Sequence, residues 1–182
     1  MPLQIGHPLD HGFNEPLGLL SDCHRRIEHF LHVLSAVAVD VAGGPLTSST
    51  RGALEGAVRY FTTAAPKHTA DEEVSLFPRL RRRGDPALTE TLASLDRLEH
   101  DHDEAEARHA AVDVLVRQWL ADDRLGEAET ARLRDHLACL QRLYREHIRV
   151  EDDEVFPAAR RALDSGEIAQ IGREMAARRQ VR

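Results

Sequence analysis

Cysteine is scarce in this chain of 182 residues: only Cys23 and Cys139 occur. Two cysteines are too few for a disulfide framework or a thiolate zinc site. Aromatic residues make up only 4%, so a core has to come mainly from Leu, Val and Ala, a composition that leans to helix. No apolar run approaches the ~20 residues that span a bilayer, which excludes a membrane partner. The opening MPLQIGHPLDHG lacks the charged-then-apolar pattern of a signal peptide, and the expected location is the cytoplasm. Excess positive charge is missing too. With 24 Lys and Arg against 31 Asp and Glu, the net charge of −7 argues against nucleic acid, whose binding depends on phosphate neutralisation. The local cluster Arg79, Arg81, Arg82 and Arg83 reads instead as cations complementing a helix C-terminus.

What is present suits one compact domain: 42% of residues are hydrophobic and 30% charged. Four long helices are predicted. The first runs from Glu15 to Val41, with Leu17, Leu20, Ile27, Leu31 and Leu34 along one face, and Gly43-Gly44-Pro45 ends it. The second runs from Arg51 to Arg83, capped by Ser48 or Ser49 and kinked at Pro66. The third starts at Pro86 and reaches Ala121; the fourth follows Gly126 and ends near Leu163. Gly166 is expected to separate a basic fifth helix, Glu167 to Arg179, that packs on or caps the rest. No strand-like alternation appears. The fold class is therefore all-α: an up-down-up-down antiparallel four-helix bundle with a short C-terminal fifth helix. Residues 1–14 form a tail, 15–165 the bundle and 166–182 the basic helix and tail.

Histidine is abundant, at 11 residues. The three-then-four spacing of each apolar stripe selects His24, His68, His102 and His147 as inward-facing. On the third helix the alternative, His100, lies roughly 200° from Leu98 and faces solvent. An internal repeat agrees. His68-x-x-x-Glu72…Phe77-Pro78 matches His147-x-x-x-Glu151…Phe156-Pro157 at a distance of 79, and His24-x-x-x-Glu28 matches His102-x-x-x-Glu106 at 78. The chain thus reads as two related helical hairpins, each long helix carrying an inward His-x-x-x-Glu.

Residues four apart share a helix face, so each His and Glu can converge on one ion or a close pair. Four core imidazoles with core carboxylates and no metal carry a severe desolvation cost. Imidazole with carboxylate and without thiolate fits iron or manganese better than structural zinc. Paired bridging carboxylates neutralise two divalent ions. A ferritin-like site needs Glu-x-x-His on two helices. Here Glu99-x-x-His102 and Glu106-x-x-His109 share one helix, and Ser21 and Tyr144 precede His24 and His147 at that offset.

These residues resemble the hemerythrin-like family of HHE cation-binding domains, from about Glu15 to Leu163. The resemblance implies a di-iron centre with ligands His24, His68, Glu72, His102, His147 and Glu151, the two glutamates bridging. Manganese and zinc are the substitutes. It also implies a small ligand: dioxygen, nitric oxide or peroxide. Glu106 stands where an oxygen carrier of the family has a second histidine, and the cysteine-bearing N-terminal segment of its iron-centre repair proteins has no counterpart. The chain is therefore expected to sense or handle the small ligand rather than to carry oxygen or repair clusters. A redox enzyme and an iron-responsive module with a protein partner or second copy stay open.

Glu28 and Glu106 are open between additional ligands and carboxylates that fix histidine tautomers. His29, His32, His100 and His136 read as surface residues, and His7 and His11 as tail. His109 reads as a hydrogen-bonded core histidine, Tyr144 as core and Cys23 as a small buried residue.

Overall fold

The computed structural model describes residues 10–181; His7 lies outside them. The described residues fold into helices without strands. Helix α1 is Pro16–Asp40. Helix α2 covers 48–81 in successive segments: Ser48–Thr63, Ala65–Ala70, a π turn Asp71–Leu76, and Phe77–Arg81. Helix α3 is Thr89–Asp122. Helix α4 covers 127–162, as Glu127–Val150, a π turn Glu151–Val155, and Phe156–Ala162. Helix α5 is Ser165–Arg178. Each long helix packs on its sequence neighbours and α4 closes the ring on α1, giving the expected four-helix bundle.

Several ends differ from expectation. Thr47, not Ser48 or Ser49, caps α2: its extended backbone lets the side chain accept from the Thr50 amide. A 3-10 turn, Pro86–Leu88, takes up the first turn of the third helix. Gly166 does not separate α5. It lies inside the helix, and Asp164 makes a capping box with Glu167, so the break falls at Leu163 and Asp164.

The interruptions within α2 follow from proline. Pro66 has no amide to donate, and the helix breaks at Ala64 before restarting. Pro78 and Pro157 likewise leave a carbonyl four residues upstream without its donor. At both places the ladder widens by one residue: the Phe77 amide donates to Glu72 and the Phe156 amide to Glu151, five residues back. The Phe-Pro pair of each repeat is thus the local cause of a π turn beginning next to a glutamate.

Two apolar clusters sandwich a polar layer. One gathers Ile27 to Ala38, Leu54 to Ala65 and Ala105 to Trp119 with the start of α4. The other gathers Leu17 to Leu20, Leu76 to Leu98 and Val150 to Leu163 with Ile171 and Met175 of α5. The first end is stitched by its loops: the Trp119 indole donates to Gly44 O (2.9 Å) and the Leu125 amide to Gly43 O (2.9 Å). Gly43 adopts a φ of 76°, and a side chain there would strike Thr130 and Leu125.

At the other end α5 is latched onto the π turn of α2. Asp71, fully buried, accepts from Arg178 (2.8 Å) and is ion-paired with Arg179 (2.7 Å). Arg178 also donates to Ser75 Oγ (2.7 Å). Arg79 pairs with Glu174, Arg83 with Glu167, and Arg81 with Glu99 and Asp96. The arginine cluster is therefore spent mainly on ion pairs to α5 and α3 rather than on a helix terminus alone. Residues 10–15 seal the same end. The His11 ring lies against Gly18 and within 3.1 Å of buried Asp22, remote from any ligand role.

Candidate metal centre

The polar layer brings together His24, His68, Glu72, His102, His147 and Glu151, all buried. They form two overlapping groups, His24-His68-Glu72-Glu151 and Glu72-His102-His147-Glu151, in which the donor atoms lie within 4.8 Å of one another. Both glutamates belong to both groups. Glu72 turns Oε1 toward His24 (3.8 Å) and His68 (3.4 Å) and Oε2 toward His102 (3.4 Å). Glu151 Oε2 lies 3.0 Å from His24 and 3.2 Å from His147.

These approaches lack hydrogen-bond directionality. All four oxygens of Glu72 and Glu151, and His24 Nε2, are buried without a hydrogen-bond partner. The Nε2 atoms of His102 and His147 face each other at 3.1 Å. Buried carboxylates left unsatisfied cost several kcal/mol, and lone pairs converging on a shared point are what a cation satisfies. The donors present fit a metal.

The outer imidazole nitrogens have partners that the sequence reading missed. His24 Nδ1 is 3.2 Å from Asp152, which also accepts from Ser21 Oγ (2.6 Å), and His102 Nδ1 is 2.8 Å from Glu73. Each of these acids directly follows its glutamate, Glu151 or Glu72, and holds the histidine of the other hairpin. The repeat itself carried that signal. Asp101 lies 3.4 Å from His147 Nδ1, whereas His68 Nδ1 has no partner. Such carboxylates fix ring orientation and raise the basicity of Nε2. The phenylalanines of the repeat finish the cage: Phe156 stacks on His24 at 5.5 Å and Phe77 on His102 at 6.4 Å.

Burial and charge push these groups apart in proton affinity. Burial, helped by the neighbouring His24 and His102, lowers the His68 pKa to about 4 against the pull of Glu72 and Glu151. At His147 burial also opposes the charged form, but Glu151, Asp101 and Glu72 together outweigh it and the pKa rises to about 9. At His24 burial is again outweighed, by Asp152, Glu151 and Glu72, and the pKa lies well above 6.5. Glu151 is driven down despite its burial, by His147 and His24. Both glutamates are thus kept anionic, the form in which they bind a cation.

The expectation that all four helices carry an inward His-x-x-x-Glu is corrected. Glu28 is exposed on α1, and Glu106 is exposed on α3, so neither joins the two groups. In a regular helix, position i+4 runs ~40° ahead of i, enough to carry these side chains off the stripe. In α2 and α4, by contrast, Glu72 and Glu151 are fully buried, each at the start of a π turn. Glu106 lines the rim of a cavity of about 300 Å³ between α2 and α3, together with Phe61, His102, His109 and Tyr144. There His109 stacks on Phe61 (4.2 Å) and meets the Tyr144 hydroxyl at 3.2 Å, the hydrogen-bonded histidine expected. Cys23 is buried and free, as expected, and lies outside both groups.

A family model described as the hemerythrin HHE cation-binding domain matches residues 15–159. The chain belongs to that family. An uncharacterized protein of Haemophilus influenzae is 28% identical over 173 residues, 93% of each chain. In this HHE chain, as in the family description, the site is one for cations. No helix among the described residues is long and apolar enough to cross a membrane.

Proposed function

We propose that this HHE domain holds two iron ions, bridged by Glu72 and Glu151, and uses them in the cytoplasm to sense or handle dioxygen, nitric oxide or peroxide. One observation carries the reading: two donor groups of two histidines each share the same pair of buried glutamates. His24 and His68 would hold one ion, His102 and His147 the other. Four imidazoles and both oxygens of two glutamates exceed the coordination positions of one octahedral ion, and the imidazole-carboxylate set without thiolate favours iron. Iron held there supplies one-electron chemistry and an open position for a diatomic or peroxide ligand. The chain's own residues do the rest. Asp152 and Glu73 keep two imidazoles aimed inward, Phe156 and Phe77 stack on them, and the cavity lined by His102 gives a small molecule room beside the site.

Glu106 stands at the mouth of that cavity, where it adds negative charge instead of a further imidazole. That favours one-way oxidation over release of intact dioxygen. Elemental analysis of protein produced with iron is expected to give about two ions per chain, the stoichiometry of carboxylate-bridged di-iron bundles. His102→Ala is expected to lower that occupancy, and exposed His100→Ala to leave it unchanged. An anaerobic sample exposed to oxygen and then degassed is expected to stay in its oxidised optical spectrum. Zinc alone, or full return of the reduced spectrum over many cycles, overturns the corresponding part of the reading.

A further inference from the structure

On the outer side of His24 and His68, away from the ligand atoms, α1, α2 and the end of α5 enclose a second cavity of about 250 Å³. Cys23, Arg26, Tyr60, Lys67 and Arg179 supply its functional groups, and no carboxylate lines it. Arg179 is committed to Asp71. Arg26 and Lys67 are not committed to any acid among the described residues. Arg26 lies over the Tyr60 ring at 5.3 Å, and its Nε is buried without a hydrogen-bond partner. In a chain of net charge −7, two half-buried cations left without a counter-ion beside a concave space are out of pattern, because surplus acids elsewhere are available to pair them. Desolvated cations gain most from an anion that completes their hydrogen bonds.

The internal repeat sharpens the point. Positions Cys23, Arg26 and Lys67 in the first hairpin correspond to Asp101, Glu104 and Glu146 in the second. The two hairpins present the same inner ligands but opposite charge on the outer wall. Asp101 faces His147, and Glu104 and Glu146 pair with Arg108 and Arg149 of their own helices. The sign is therefore not imposed by the shared helical framework; it belongs to the first hairpin alone.

We propose that this cavity binds a small oxyanion, a phosphate or short carboxylate, between Arg26 and Lys67, with Arg179 contributing from α5 and the Tyr60 ring backing the guanidinium. The volume is below that of most drug-sized pockets, so the ligand has few non-hydrogen atoms. Cys23 and Lys67 immediately precede His24 and His68, so the anion sits one residue behind the metal layer without touching it. The site does not require that the metal be iron, or that it be bound.

Equilibrium dialysis tests this on the full chain with radiolabelled inorganic phosphate and, separately, labelled succinate. It is run on protein as purified and after chelator treatment. One equivalent of at least one probe is expected to bind saturably in both preparations, since anions bound to the metal would be lost with it. Arg26→Gln with Lys67→Gln is expected to weaken binding at least tenfold, and Lys67→Arg to retain it. Glu104→Gln with Glu146→Gln, on the repeat-related face, is expected to leave it unchanged. Circular dichroism of each variant checks that the helices persist; if the double Gln variant unfolds, Lys67→Gln alone carries the comparison. Failure of both probes to saturate, binding abolished by chelation, or binding undiminished in the Arg26 and Lys67 variants overturns the proposal. Loss of the di-iron reading would leave it standing.

Discussion

The α1/α2 and α3/α4 hairpins present the same inner side chains to the metal layer but differ in what stands behind them. His24 and His68 are sealed under residues 10–15 and α5, with a cationic wall outside. His102 lines a cavity of about 300 Å³, with Glu73 and Glu106 also on its wall, and Asp101 lies against His147. The π turns differ in the same sense. Asp71 of the first is buried and held by Arg178 and Arg179, while its repeat-related residue in the second is Val150, which packs in an apolar cluster. Duplication explains the likeness. The fifth helix contributes to the difference, because it packs chiefly on α1 and on the π turn of α2. A symmetric pair of hairpins would not present two such different outer surfaces.

Erasing the shared element should have the largest effect. Glu151→Ala or Glu72→Ala removes a donor common to both groups, so metal content should collapse on both sides rather than by half. The stabilisation conferred by metal should vanish with it, about 4 kcal/mol at a thousandfold excess over Kd. Thermal unfolding with and without metal checks this; loss of one ion only would mean that the two halves do not share their glutamates.

Unlatching the closed half comes next. Arg178→Gln with Arg179→Gln leaves Asp71 buried without a cationic partner and should cost about 3 kcal/mol, read by denaturant unfolding. Val150→Ala in the other half is a packing change without that electrostatic penalty. A double variant that stays within error of the parent would show that α5 does not hold the first π turn.

The open half should carry its own pH signature. Burial lowers the His109 pKa to about 4, against 6.5 when the chain is unfolded. The unfolded chain therefore takes up the proton first on acidification. The stability of neutral His109 is fully present above pH ~6.5 and is lost as pH falls toward ~4, by up to about 3 kcal/mol. His109→Gln should flatten that part of the profile relative to the parent, with Tyr144 still in place. An unchanged slope between those pH values refutes it.

The smallest effect separates two acids that look alike in the repeat. Glu28→Ala should change neither metal content nor stability by more than about 0.5 kcal/mol, the usual range for an exposed position. Glu106→Ala should be equally silent in both measurements yet alter the rate at which oxygen oxidises the reduced centre. Equal rates in the two variants would remove Glu106 from the cavity's working edge.

Much of this architecture was legible in residue spacing. The apolar stripes identified the four long helices, and the repeat separated His102 from His100 because a helix of fixed period leaves little freedom in which side is buried. Ends were read less well. Thr47, not its neighbours, caps α2, and α5 begins at a capping box rather than after a glycine, since several adjacent polar residues compete for each cap. The sequence leaves Glu28 and Glu106 open, and both are exposed in the structure, because the i+4 rule puts two side chains near one another without putting both on the buried side.

The sequence alone determined the class of bundle, the inward histidines, the duplication and the family. Those properties are local or periodic, and a period of 3.6 residues together with a repeated Phe-Pro survives in one dimension. Tertiary structure decided which acids face the metal layer, which merely steady its histidines, and which hairpin is sealed. Those outcomes depend on how each helix is turned against its neighbours and on where the fifth helix packs. Neither the burial of a carboxylate nor the partner of a distant arginine is written in the spacing of neighbouring residues.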